Sequence, residues 1–115
     1  MPNLFVYGTL RRGSENQFAR LLAEQGRFIG VARVPGRLYD LGTYPGAVAS
    51  DQPDQWIHGE VFSVDSAVLT VLDEYEGAEF ERAMVSATGP LECWIYWYVG
   101  SDPGLLIASG DWSQR

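Results

Sequence analysis

The chain has a single cysteine and a single histidine, which excludes several kinds of functional site. Cys93 forms no disulfide within the chain and cannot supply a multi-thiolate metal centre. His58 alone cannot build a centre with two or three histidines, so we expect neither a metal nor a cofactor. A Ser-His-Asp triad would need His58, and the chain has no Gly-x-Ser-x-Gly nucleophile elbow.

Basic residues and long apolar runs are also scarce. Eight Lys+Arg against fifteen Asp+Glu give a net charge of −7, which would repel a phosphate backbone or an anionic membrane. No apolar run approaches the ~20 residues of a transmembrane helix, and the amino terminus does not resemble a signal peptide. We therefore expect a cytoplasmic protein with no nucleic-acid or membrane partner.

What the chain has is the composition of a folded globule. It contains 115 residues, of which 46% are hydrophobic and 20% charged, and this length fits one domain over residues 1–115. Apolar runs bounded by turn residues predict strands near residues 4–7, 27–34, 38–41, 56–62, 82–88 and 92–99, with a turn at 44–46.

Two segments have the spacing of helices. A capping box from Ser14 to Gln17 predicts a helix over 15–25, ended by Gly26. Asp65 begins a second helix, whose apolar stripe runs from Val64 through Val68, Val71 and Leu72 to Tyr75 and which ends at an αL Gly77. The element order predicts an α+β fold, with a small mixed β-barrel or strongly curved sheet of about six strands and two helices.

The loop Tyr7-Gly8-Thr9-Leu10 is the first candidate binding site. It follows the first strand and leads towards a helix amino terminus, so successive backbone N–H groups can form a nest for a carboxylate or phosphate. Gly8 has no Cβ and so permits close approach of a ligand. The same residues also fit an ordinary strand-to-helix connection.

The acidic end of the second helix is the second candidate. Glu76 lies near ~120° around the helix from Val64, at the border of the apolar face, whereas Asp73 lies near ~180° and points away from it. The helix dipole and partial burial would both raise the pKa of Glu76, as general acid–base catalysis near neutral pH requires. A frayed, solvated helix end is the alternative interpretation.

These segments resemble the gamma-glutamylcyclotransferase-like family, and within it the small gamma-glutamylamine cyclotransferase branch. The resemblance is carried by Val6–Gly13, by His58-Gly59-Glu60-Val61-Phe62, and by Leu72–Gly77 followed by Phe80-Glu81-Arg82. It spans nearly the whole chain in the same order. Phe80 stands where many members have tyrosine, and Thr9 where others have serine.

The resemblance implies a small mixed α/β barrel and an enzyme that cyclises a gamma-glutamyl group to 5-oxoproline, releasing an amine or amino acid. It implies that Tyr7, Gly8, Thr9 and Leu10 bind the gamma-glutamyl part and that Glu76 is the proton acceptor. Two other interpretations stay open at this point. One is a non-catalytic module that binds a small carboxylate, and the other is a cyclising lyase for a different amino-acylated amine.

Overall fold

The computed structural model describes residues 1–101 and 103–115, and in these ranges two α-helices accompany an eight-stranded sheet. The strands are β1 (Asn3–Val6), β2 (Arg27–Pro35), β3 (Arg37–Asp40), β4 (Pro45–Val48), β5 (Trp56–Ser63), β6 (Phe80–Ala87), β7 (Leu91–Tyr98) and β8 (Leu105–Ile107). The helices are α1 (Gln17–Gln25) and α2 (Ser66–Glu76), and a short 3-10 helix, Trp112–Gln114, follows β8.

The sheet is mixed and curls into a half-barrel. Its strand order is β2-β5-β1-β7-β4-β3-β8, with β6 paired along β7. β1 is antiparallel to β5 but parallel to β7, which it meets where Leu4 pairs with Trp94. The curl brings the end of β6 beside β2, where the N–H of Thr88, the residue after β6, donates to the Arg33 carbonyl at 3.0 Å. The predicted curved sheet is therefore confirmed.

Alternating residues of the sheet form two apolar clusters, one on each face. On β1, Phe5 belongs to one cluster, whereas Leu4 and Val6 belong to the other, as the two-residue period of a strand requires. The cluster with Leu4 and Val6 also contains Leu22 of α1 and Leu72 of α2. Both helices therefore pack on the same face of the sheet, beside the loop that follows β1.

The ends of the helices differ in part from the prediction. Asn16, not Ser14, caps α1, and its side chain accepts hydrogen bonds from the Phe18 and Ala19 N–H groups at 3.1 and 2.8 Å. Ser14 lies two residues before this cap, in a turn that its own N–H closes onto the Arg11 carbonyl. Asp65 caps α2 as predicted.

The carboxyl end of α2 is a second difference. Gly77 has a φ of 75° with a ψ of −167°, so the chain leaves the helix extended towards β6 instead of in the αL conformation. Val71 and Tyr75 of the predicted apolar stripe are 43% and 36% exposed, and the buried face of α2 is formed by Val68, Leu69 and Leu72.

The sheet also has more strands than predicted. The predicted turn 44–46 is only half correct, because Pro45 and Gly46 already belong to β4. The Leu41 N–H bonds to the Tyr44 carbonyl to close the turn, and Pro45 stands first in the strand, where its missing N–H is tolerated. β8 was not predicted, since its three residues are too few for a pattern. Within the described residues no helix is long and apolar enough to cross a membrane.

Candidate active site

The loop after β1 is held in shape by bonds to two other elements. The Arg12 N–H donates to Glu60 Oε1 at 2.8 Å, and Glu60, on β5, is only 5% exposed. The amide of Asn16, the cap of α1, donates to the Thr9 carbonyl at 2.7 Å. The path of this loop is therefore fixed by a buried carboxylate on one side and by the helix cap on the other.

Gly8 is needed in this loop for packing. A Cβ at this position would lie 2.4 Å from Cγ and 2.7 Å from Cδ of Pro45, so the proline ring occupies the space that a side chain would need. The missing Cβ thus leaves room for Pro45, the first residue of β4. The packing joins the loop to β4 at one wall of a cavity.

The loop and the end of α2 line one cavity of about 160 Å³. All five residues that the sequence singled out contribute to it. The complete lining consists of Phe5, Val6, Tyr7, Gly8, Thr9, Leu10, Tyr44, Pro45, Tyr75, Glu76, Phe80 and Tyr96. This set includes no arginine, lysine or histidine, so Glu76 is its one residue with a side chain that carries charge near neutral pH.

Glu76 is the last residue of α2, and its carboxylate lies partly buried against this cavity. No hydrogen bond or ion pair to it is formed within residues 1–101 and 103–115. Burial raises its pKa from the ordinary 4.5 to about 7. A raised pKa is what the place of Glu76 at the border of the apolar face predicts. A carboxyl group with this pKa can exchange protons near neutral pH.

Two backbone donors also belong to the lining of the cavity. Thr9 and Leu10 line it, and no described residue accepts a hydrogen bond from either backbone N–H group. Buried or partly buried N–H groups are normally paired, so two free ones beside a cavity suit an anionic or carbonyl oxygen of a ligand.

Two tyrosines of the cavity wall use their hydroxyls to hold the fold. The Tyr7 hydroxyl donates to the Tyr96 carbonyl at 2.6 Å and accepts from the Ala47 N–H at 3.2 Å. The Tyr96 hydroxyl donates to Asp73 Oδ1 at 2.7 Å. Asp73, expected to point away from the core, is thus connected to the cavity wall through Tyr96.

Several lining residues were not singled out from the sequence. Tyr75 was assigned to the apolar stripe, but its ring stacks on Phe18 at 4.1 Å and its hydroxyl lies 3.1 Å from Thr9 Oγ1. Tyr44 lies just before β4 and Phe80 begins β6, and their ring centroids are 6.0 Å apart. Only the tertiary fold brings these rings together, because each comes from a different element.

The comparison with known proteins decides the family. The family model described as gamma-glutamyl cyclotransferase, AIG2-like, matches residues 4–114. The chain belongs to the gamma-glutamylcyclotransferase family. A relative from Vibrio cholerae is 41% identical over 118 residues, covering 97% of this chain and 96% of its own length. The gamma-glutamylcyclotransferase family protein YtfP of Escherichia coli is 37% identical over 116 residues, with the same two coverages.

The solved structures agree with this assignment. The solution structure of Escherichia coli ytfP is similar to this chain with a TM-score of 0.72 at 35% identity, and covers 96% of this chain and 95% of its own. The family resemblance is therefore confirmed, and with it the expectation of a gamma-glutamylcyclotransferase-type enzyme.

Proposed function

We propose that this gamma-glutamylcyclotransferase-family enzyme converts a gamma-glutamyl amine or gamma-glutamyl amino acid into 5-oxoproline and the free amine or amino acid. The observation that carries the proposal is that one cavity combines the Glu76 carboxylate, without a hydrogen-bond partner among the described residues, with the free N–H groups of Thr9 and Leu10.

The reaction needs few catalytic groups because its nucleophile is part of the substrate. The α-amine attacks the γ-carbonyl carbon, a carbon–nitrogen bond closes the five-membered ring, and the original amide bond then breaks. The enzyme mainly has to hold the substrate in a folded conformation, which can supply several kcal/mol towards the barrier, roughly 7–11 in the best-oriented cases. The shortage of histidine and cysteine is compatible with this chemistry.

Glu76 is assigned the two proton transfers. As a carboxylate it takes a proton from the α-amine when that amine attacks, and it returns the proton to the leaving nitrogen when the amide bond breaks. One group can do both because a pKa of about 7 lies close to the working pH, where loss and gain of a proton are nearly balanced.

The loop Tyr7–Leu10 is assigned to substrate binding. A gamma-glutamyl group carries an α-carboxylate, and no basic side chain lines the cavity to pair with it. Recognition therefore falls to the N–H groups of Thr9 and Leu10, which suit the α-carboxylate or the oxygen that becomes negative during ring closure. Tyr7 and Gly8 contribute the wall that fixes these two N–H groups.

Release of 5-oxoproline from a panel of gamma-glutamyl amines and dipeptides tests the proposal. Turnover is expected for at least one member of the panel, and its leaving group identifies the preferred substrate. The matched control is the same compound with an acetylated α-amine, which fits a similar shape but has lost its nucleophile. No release across the panel, or equal release from the acetylated control, would contradict ring closure by the substrate's own amine.

A further inference from the structure

Three tyrosines from separate parts of the chain line the cavity with Glu76, and each donates its hydroxyl proton to some other group. These tyrosines are Tyr7, Tyr44 and Tyr96. Burial is the main cause that raises the pKa of each hydroxyl, and the negative charge of Glu76 raises it further. Their hydroxyls are nevertheless turned elsewhere. Tyr7 donates to a backbone carbonyl, Tyr44 to Glu79 at 3.4 Å, and Tyr96 to Asp73.

Asp73 is well placed to hold the Tyr96 hydroxyl. Its carboxylate receives two bonds from Arg82, from Nε at 2.8 Å and from a terminal nitrogen at 3.1 Å, in addition to the 2.7 Å bond from Tyr96. The Arg82 guanidinium lies 4.4 Å above the Trp94 ring. Burial opposes the effect, but the bonds from Arg82 and Tyr96 keep the pKa of Asp73 below its ordinary value, so it remains an acceptor.

Besides Asp73, the Tyr96 hydroxyl has the Leu69 carbonyl at 3.5 Å, and the carboxylate that lines the cavity together with Tyr96 is Glu76. Asp73 and Glu76 are three residues apart on α2, and side chains at this spacing are neighbours, with Cβ atoms about 5–6 Å apart. A tyrosine hydroxyl has one proton to donate. If Tyr96 gave it to Glu76, the carboxylate would be stabilised and would become a weaker base.

We propose that Asp73 is a positioning residue of this enzyme, which holds the Tyr96 hydroxyl away from Glu76 and so leaves the catalytic carboxylate without a donor. The inference rests on the function proposed for Glu76. Tyr75, the remaining cavity tyrosine, pairs with Thr9 Oγ1. Asp73 itself touches no reacting atom in this scheme, since it acts through Tyr96.

Carbon-13 NMR of glutamate-labelled protein tests this without any need for turnover. The Glu76 carboxyl signal, identified by its loss in Glu76→Gln, is titrated in the wild type, in Asp73→Ala, in Tyr96→Phe and in the double variant. Asp73→Ala should lower the pKa of Glu76 by about one pH unit, the size expected for one hydrogen bond to a charged group. Tyr96→Phe should match the wild type, because a phenyl ring has no proton to donate. The double variant should show a smaller fall than Asp73→Ala, because only the loss of the Asp73 charge remains.

The double variant separates this role from a structural one. Unchanged titration in Asp73→Ala would overturn the proposal. So would an equal fall in the single and double variants, because the cause would then be the released Arg82 or a general rearrangement. Glu74→Ala, an exposed acid on the same helix, should leave the titration unchanged. If Asp73→Ala does not fold, Asp73→Asn is titrated with and without Tyr96→Phe, and the fall in the Glu76 pKa must again be smaller when Tyr96 is replaced.

Failure of the role of Asp73 can be told apart from failure of the proposed function. A wild type that releases no 5-oxoproline would contradict the function, whatever the NMR titration gives. A wild type that releases 5-oxoproline while Asp73→Ala leaves the Glu76 titration unchanged would contradict only the role of Asp73. In an active enzyme the acid limb of kcat/KM should move to lower pH in Asp73→Ala and move less in the double variant.

Discussion

At the scale of single residues, Glu76 makes catalysis depend on pH. The proposed reaction begins with the carboxylate form, and burial raises the pKa of this group to about 7. We therefore expect kcat/KM for 5-oxoproline release to fall about tenfold per pH unit well below pH 7, because the fraction of ionised Glu76 falls at that rate. Initial rates between pH 5 and pH 8 measure it, and a profile that is flat over this range would contradict the assignment.

Tyr7 is the residue whose loss should weaken the cavity wall most directly. Its buried hydroxyl connects the Tyr96 carbonyl to the Ala47 N–H. Tyr7→Phe should lower the free energy of unfolding by about 1–3 kcal/mol, because both backbone groups lose their partner in a buried place. Urea unfolding measures the change. Tyr39→Phe, which alters a partly buried tyrosine on β3, should cost less than about 0.5 kcal/mol, and equal losses in the two variants would contradict this role of Tyr7.

At the scale of elements, the start of α1 connects helix stability to the shape of the binding loop. Asn16 accepts from two N–H groups of α1 and donates to the Thr9 carbonyl. Asn16→Ala should lower the free energy of unfolding by about 1 kcal/mol and also raise KM, because the loop loses its bond to the helix. Ser14→Ala is the matched control and should cost much less. A larger loss of stability in Ser14→Ala than in Asn16→Ala would show that Ser14 caps α1, as the capping box in the sequence predicts.

Most elements could be predicted from the sequence where a pattern was long enough. β2, β5, β6, β7 and both helices follow from periodicity and caps within a few residues. β8 could not, since three residues carry no period. The cap of α1 was assigned to Ser14 because a capping box is defined by residue type, whereas the choice between Ser14 and Asn16 depends on how the preceding loop turns.

The candidate site was predictable to a similar extent. Glu76 and Tyr7–Leu10 share one cavity because α2 ends and β1 ends on the same side of the sheet, and the sequence order alone does not contain this fact. The Asp73–Arg82 ion pair also depends on the tertiary fold, since β6 must lie beside α2 before the two side chains can meet at 2.8 Å. Residue type indicates which groups can react, and tertiary packing decides which of them meet.

At the scale of the whole molecule, the raised pKa of Glu76 implies a cost in stability. The folded protein holds this proton more tightly than the unfolded chain, whose glutamate titrates near 4.5. Stability contributed by the neutral form is therefore complete below pH 4.5 and is lost as pH rises to about 7, which corresponds to roughly 3 kcal/mol at most. Glu76→Gln stays neutral throughout, so it should be more stable than the wild type above pH 7.

Urea unfolding at pH 4.5, 6 and 8 measures this difference. The advantage of Glu76→Gln should be about 1–3 kcal/mol at pH 8 and close to zero at pH 4.5. Glu74→Gln, on the exposed side of α2, should show no such trend. An advantage of Glu76→Gln that does not change with pH would contradict the raised pKa.

The central claim is that Glu76 carries the proton during ring closure, and kcat/KM for 5-oxoproline release in purified Glu76→Gln tests it most directly. Glutamine keeps the size of the side chain but cannot accept the proton, so we expect a loss of at least about a hundredfold. Glu74→Gln should keep the wild-type rate. A Glu76→Gln enzyme that retains wild-type kcat/KM would contradict the claim.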